Sequence, residues 1–212
     1  MQHKVNVRYC EMNDINEVAN LYKISFSSHW KSRLGLKACQ QYLYSVYKNS
    51  SHKIVILENE RNLIGFAIFH LDKYSQISRK WIIKVGYLLP LLFLKNPLAI
   101  TRYFFKLLNQ RVCQIYRSDS NSNLLDNGTN RIREDGSAYL DFIGIDSGFQ
   151  SLGYGKLLLV ECIELVKCFN KNRLYLSVNK NNFRAIRTYE SLGFIRFTPD
   201  DSSNSLVYFY EI

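Results

Sequence analysis

Apolar and polar positions alternate along HKVNVRYCEM, residues 3–12, as in a strand with one buried face. The period then lengthens. Behind Asn13 and Asp14, either of which suits a helix cap, Ile15, Val18, Ala19, Leu21 and Tyr22 fall on one helical stripe. A second helix is expected over 32–48. KIVILEN and LIGFAIFH, joined through ENERN, read as a β-hairpin. From residue 138 the two periods alternate again: a strand over 138–145, a helix over 153–169, a strand over 173–178 and a helix over 182–192. Strands near 194–198 and 206–212 close the chain. Strands and helices interleaved in this way predict one α/β domain over 1–212, with an insertion at about 71–137 that is too long for a simple hairpin connection.

The insertion changes the picture because of its composition. Residues 71–117 are apolar and aromatic (Trp81, Tyr87, Tyr103, Phe104, Phe105), and Pro90 and Pro97 are expected to divide them into two or three short helices. Residues 118–137 are polar and read as a loop. WIIKVGYLLPLLFLKNPLAI, residues 81–100, carries Lys84, Lys95 and both prolines, which argues against a membrane span and leaves a position on a membrane surface open. The whole chain has a formal net charge of +10. Nine Lys and Arg residues against Asp72 give 71–117 alone +8. An excess so concentrated suits an anionic partner, whether a phosphorylated ligand, a membrane surface or nucleic acid; a solvated charged face is the plainer alternative.

With 47% hydrophobic residues the chain is expected to pack a sizeable core. Its five cysteines, Cys10, Cys39, Cys113, Cys162 and Cys168, are odd in number and show no CxxC spacing, which suits buried thiols in a reducing cytoplasm. No metal-ligand spacing is visible. MQHKVNVRYCEMND has no long apolar run, so nothing marks it for secretion.

DFIGIDSGFQSLGYGK, residues 141–156, places Gly153 and Gly155 where a strand hands over to a helix. Glycines there let the backbone approach a ligand, and free amides at a helix start suit a phosphate. The spacing Gln150-x-x-Gly153-x-Gly155 is neither GxGxxG nor GxxxxGK[ST]. Further on stands NFRAIRTYESLGF, with Asn182, Ala185, Tyr189, Gly193 and Phe194 at fixed offsets. Together the two stretches resemble the acyl-CoA-binding motifs of the GNAT acyltransferase superfamily, R/Q-x-x-G-x-G/A followed by N-x-x-A-x-x-x-Y-x-x-x-G-F. The resemblance covers 1–70 and 138–212; Ser147 departs from it, standing where many members have proline.

What the resemblance implies is specific. The fold is a mixed, mostly antiparallel central sheet with helices on both faces, splayed fourth and fifth strands, and here a helical insertion between the third and fourth. The cofactor is acetyl-CoA, as co-substrate and without a metal. Gln150 and the amides of Ser151, Leu152, Gly153, Tyr154, Gly155 and Lys156 would hold its pyrophosphate, Lys156 adding a direct contact. The backbone of Ile143, Gly144 and Ile145 would pair with the pantetheine arm, and the Ile145 amide would polarise the thioester carbonyl. Asn182 either binds the cofactor or caps the following helix, and the two roles are compatible. Ala185 is small, as a residue beside the cofactor should be. Tyr189 would hydrogen-bond the departing sulfur.

The acceptor amine must also lose a proton, which for a lysine-like amine of pKa ~10.4 costs about 4.6 kcal/mol at pH 7. Asp141 shares strand parity with Ile143 and Ile145 and is expected on their side, as general base or amine anchor, with Tyr139 and His70 behind it. A salt-bridged structural aspartate is the alternative. The expected activity is acetyl transfer from acetyl-CoA to a primary amine of a small anionic acceptor, such as a nucleotide-linked amino sugar, by direct attack in a ternary complex. No nucleic-acid partner is expected. The competing readings are a non-catalytic acyl-CoA-binding module, a protein that uses its basic segment on a membrane or nucleic acid, or a peptide or protein N-acetyltransferase.

Overall fold

A computed structural model describes residues 5–60, 62–71, 136–197 and 204–212, so nearly all of the expected insertion lies outside the described residues. The chain opens with strand β1 (Val5–Tyr9), a 3-10 turn (Met12–Asp14), helix α1 (Ile15–Ser25), the short helix α2 (Trp30–Arg33) and helix α3 (Leu36–Tyr47). Strands β2 (His52–Asn59) and β3 (Asn62–His70) form the predicted hairpin. Strand β4 (Ser137–Ile145), a second 3-10 turn (Ser147–Phe149), helix α4 (Tyr154–Cys168), strand β5 (Arg173–Asn179) and helix α5 (Phe183–Ser191) follow. Strands β6 (Ile195–Arg196) and β7 (Ser205–Glu211) close it. No helix among the described residues is long and apolar enough to cross a membrane.

The strands make one seven-stranded sheet in the order β1-β2-β3-β4-β5-β7-β6. Neighbours are antiparallel except β4 and β5, which run parallel. β2 and β3 read as continuous apolar runs because both their faces are covered. On one face Ile54, Ile56, Phe66 and Ile68 pack under α1 and α3, whose Val18, Ala19, Tyr22, Cys39, Leu43 and Val46 are fully buried. On the other, Val55, Leu57, Ala67 and Phe69 meet Leu158, Leu159, Cys162 and Val166 of α4. Burial pushes the Cys10 and Cys162 thiols up to about 12, so they remain protonated and unreactive.

Local chemistry departs from the expected pattern in two places. The helix expected over 32–48 is divided at Gly35, whose φ of +96° is a conformation that side chains resist and that ends α2 before α3 begins. Asp14 precedes α1 without capping it through its side chain. Its carboxylate instead accepts the Glu11 backbone N–H at 2.7 Å and the Arg8 guanidinium at 2.7 and 3.0 Å, while Arg8 also reaches Glu58 at 2.6 Å.

Under α1 the Tyr22 hydroxyl shares a 3.1 Å hydrogen bond with His29 Nδ1. Burial, helped by the nearby Lys31 charge, lowers the His29 pKa from 6.5 to about 4. The folded chain therefore binds fewer protons than the unfolded one between these values, and this stability is present above pH 6.5 and lost as pH falls toward 4. Discounted for the ring's partial contact with water, the loss is roughly 2 kcal/mol. Denaturant titrations at pH 6.5 and pH 4 should show that extra acid loss in the parent protein and not in His29→Gln; equal losses in both would refute it.

Candidate active site

The strand-to-helix passage after β4 is shaped by one side chain, Asp146, and two left-handed backbone positions, Ser151 and Gly153. Asp146 ends the strand and accepts the Gly148 N–H at 2.9 Å, shaping the 3-10 turn. Ser151 (φ +66°) and Gly153 (φ +85°) then turn the chain through the left-handed region just ahead of α4. A side chain at Gly153 would meet no atom within 4 Å, so glycine is there for its backbone conformation. Gly155 differs, since a Cβ there would touch Ile145 only at an ordinary 3.8 Å. The first hydrogen bond of the helix runs from the Leu157 N–H to the Gly153 carbonyl. The amides of Tyr154, Gly155 and Lys156 come before it and are presented outward at the positive end of the helix.

Beside this passage the sheet stops being continuous. β4 and β5 are paired from Ser137 and Arg173 to Leu140 and Leu176, yet β4 runs on to Ile145 and β5 to Asn179. The Asp146 N–H bonds the Ile64 carbonyl of β3, so strand alternation turns the N–H groups of Ile145 and Ile143 toward the β5 edge. Gly144 sits against the other face of the sheet: an added Cβ would lie 2.9 Å from the Phe66 ring and 3.2 Å from Ser25 Oγ.

Asp141 is not where strand parity puts it. β3 pairs Phe69 with Leu140 and Ile68 with Phe142, leaving Asp141 as the extra residue of a β-bulge. The bulge inverts the alternation. Ala138 and Leu140 before it, and Ile143 and Ile145 after it, pack toward α4, whereas Phe142 packs toward α1 and α3. The Asp141 carboxylate joins that second side. It accepts a 2.9 Å hydrogen bond from His70 Nδ1, and His52 Nε2 stands 3.9 Å from the same oxygen. His52, His70, Tyr139 and Tyr175, one from each of β2 to β5, stack in a row across the sheet. Lys31 is buried nearby with its Nζ 3.5 Å over the Tyr42 ring; burial lowers its pKa to about 8, opposed by the Asp141 charge.

The second motif lies at the start of α5. The Asn182 side chain accepts the Ala185 N–H at 3.2 Å and so caps the helix. Ala185 is half-buried against the α4-side core, and Tyr189 is buried in it, its pKa pushed up to about 12 by burial alone. The two motifs are tied together by Arg184, which donates to Gln150 Oε1 at 2.6 Å and Ser151 Oγ at 2.7 Å, while Gln150 Nε2 donates to the Ile145 carbonyl at 3.0 Å. Gln150 thus holds the loop to β4 from within. Leu152 and Lys156 are exposed at its rim.

Residues 121–194, which hold both motifs, match the family model described as Acetyltransferase (GNAT) family. Over these residues the chain is similar to that family. Over 62 residues, 29% of its length, the chain is 39% identical to the spermine/spermidine N(1)-acetyltransferase of Bacillus subtilis and covers 41% of that protein. The chain therefore spans about two-fifths of the length of the curated relatives it matches. Among solved structures it resembles the ribosomal-protein-S18-alanine N-acetyltransferase of Escherichia coli (TM-score 0.55, 15% identity, 97% of this chain and 91% of that one). It also resembles the PaiA N-acetyltransferase of Thermoplasma acidophilum solved with coenzyme A (TM-score 0.58, 10% identity, 99% of each chain). At such identities these likenesses carry the fold. Sequence reasoning missed Arg184, which looked like an ordinary surface residue of α5, and His52 and Lys31, whose proximity to Asp141 depends on tertiary structure.

Proposed function

We propose that this chain is an acetyl-CoA-dependent N-acetyltransferase acting on a primary amine. The observation that carries the reading is the amide-lined start of α4 placed beside the edge of β4 that β5 leaves uncovered. The amides of residues 151–156 face the coenzyme diphosphate, favoured by the helix dipole, with Gln150 and Arg184 fixing the loop and Lys156 at its rim. The pantetheine arm runs along Ile143, Gly144 and Ile145 as an added strand, past Asn182 and Ala185.

The reaction we propose uses these groups in turn. The amine lone pair attacks the thioester carbonyl carbon and a C–N bond forms. The carbonyl oxygen, now negative, accepts a hydrogen bond from the Ile145 N–H, which costs no reorganisation because the strand already holds it. Asp141, within the pair it makes with His70, takes or anchors the amine proton. The C–S bond breaks, and Tyr189 donates a hydrogen bond to the departing sulfur. Asp141 lies toward α1 and α3 and the helix amides toward α4, an arrangement that suits acceptor and donor entering from opposite faces for direct attack.

For the acceptor, the +8 charge of residues 71–117 favours an anionic amine such as a nucleotide-linked amino sugar, its phosphates paired by Arg and Lys. The segment shared with a spermine/spermidine N(1)-acetyltransferase favours a polyamine instead. Calorimetry with coenzyme A should give saturable binding of one equivalent per chain, and a panel of amino-sugar nucleotides, polyamines and peptides should show transfer to one class. Turnover with polyamines or peptides alone ends the anionic reading. Absence of any coenzyme A affinity in folded protein ends the enzyme reading, and coenzyme binding without transfer to any amine points to a binding module.

A further inference from the structure

We propose that His52, His70 and Asp141 form a binding site for one divalent transition-metal ion of the zinc class. The three residues sit on three adjacent central strands. β2 and β3 pair His52 directly opposite His70, and the β4 bulge swings Asp141 onto the same face. His52 and His70 stack with ring centroids 5.3 Å apart at 27°, so both can present a nitrogen to one side.

One ligand atom from each residue lies within 4.8 Å of the other two. His70 Nδ1 is 2.9 Å and His52 Nε2 3.9 Å from Asp141 Oδ2. A tetrahedral zinc ion with bonds of about 2.0–2.2 Å separates its ligands by about 3.3 Å, so adjustments of side-chain torsion alone close the set around an ion. Two imidazoles and one carboxylate suit zinc and its neighbours, whereas magnesium and calcium take oxygen ligands.

Access and rigidity fit as well. The His52 and His70 side chains are 2% and 10% exposed, while Asp141 keeps 28%, so an ion enters past the carboxylate and meets imidazoles already stripped of water. The His70 ring is clamped from its other side by Tyr139, nearly parallel at 12° and 5.1 Å. Three protein ligands leave a fourth position for water. An ion held there withdraws the Asp141 carboxylate from an incoming amine, so zinc acts against transfer.

The test uses the full chain, stripped with chelator and titrated with Co²⁺ and then with Zn²⁺. We expect one equivalent of Co²⁺ to give a visible absorption band that Zn²⁺ displaces, with elemental analysis confirming one zinc per chain. His52→Ala and Asp141→Asn should each weaken binding tenfold or more, as loss of an outer-shell partner alone commonly does. If His52→Ala does not fold, Asp141→Asn, at the exposed end of the cluster, carries the comparison. No saturable uptake by the parent chain, or uptake unchanged in the variants, overturns the site. Because uptake is read on the metal itself, this result is independent of whether the chain transfers acetyl groups.

Discussion

Tyr189→Phe is expected to slow acetyl transfer about a hundredfold while leaving coenzyme affinity and unfolding free energy nearly unchanged. The Tyr189 hydroxyl takes no hydrogen-bond partner among the described residues, so removing it breaks no described contact. The ring itself is kept, packed against Phe194 and Tyr208 at centroid distances of 5.8 and 6.4 Å. Burial defines what the hydroxyl can do, because with a phenol at about 12 and a thiol near 8.5, full proton transfer to sulfur is uphill by about 5 kcal/mol. A phenol near 10 would have faced about 2 kcal/mol. In the proposed reaction Tyr189 would therefore hold its proton and donate a hydrogen bond that strengthens as charge builds on the breaking C–S bond. The effect should fall on kcat, with KM for acetyl-CoA nearly constant. An unchanged kcat would remove Tyr189 from the reaction.

The elements behind this chemistry were legible wherever local sequence decides the outcome. The stripe Ile15, Val18, Ala19, Leu21, Tyr22 became the buried face of α1, and Gly153 marked the αL turn opening α4 because glycine adopts that conformation without strain. What escaped were features set by the register between distant strands. SAYLDFIGI carries no local sign of a bulge; the extra residue at Asp141 appears only when Phe69 and Ile68 select Leu140 and Phe142 as partners. Parity counted from Ile143 therefore placed the carboxylate on the wrong face. The hairpin behaves in the same way. Counting back from the Asn59–Asn62 pair would set His52 opposite Phe69, and a register shift at Leu57/Glu58 moves it to His70. One such shift in each ladder brings the two imidazoles and the carboxylate together. Of the two roles offered for Asn182, the helix cap is the one observed, its side chain accepting the Ala185 N–H. Arg184 was not readable because nothing in its spacing announces a partner more than thirty residues earlier in the chain.

Tyr22→Ala is expected to destabilise the fold by about 3–5 kcal/mol, the range for removing a fully buried aromatic ring. Tyr22 is wholly buried and its ring lies near Phe26, His29, Tyr42, Phe66 and Phe142, the last at 5.0 Å and nearly edge-on. These rings come from the residue just after α1, the segment before α2, α3, β3 and β4, so the cavity would open where five parts of the chain meet, and the stiff strands could collapse into it only partly. Tyr22→Phe keeps the ring and removes only the hydrogen bond to His29, a change worth about 1 kcal/mol. Urea titrations should separate the two by at least 2 kcal/mol, and a Tyr22→Ala loss below that of Tyr22→Phe would show that the cluster does not hold this face together. The consequence reaches the site through Phe142, which follows Asp141 at the bulge and rests on Tyr22. With that support gone the carboxylate loses its fixed approach to His70, so any surviving folded Tyr22→Ala should transfer acetyl groups more slowly at saturating coenzyme. Stability and the position of the proposed base thus depend on the same ring.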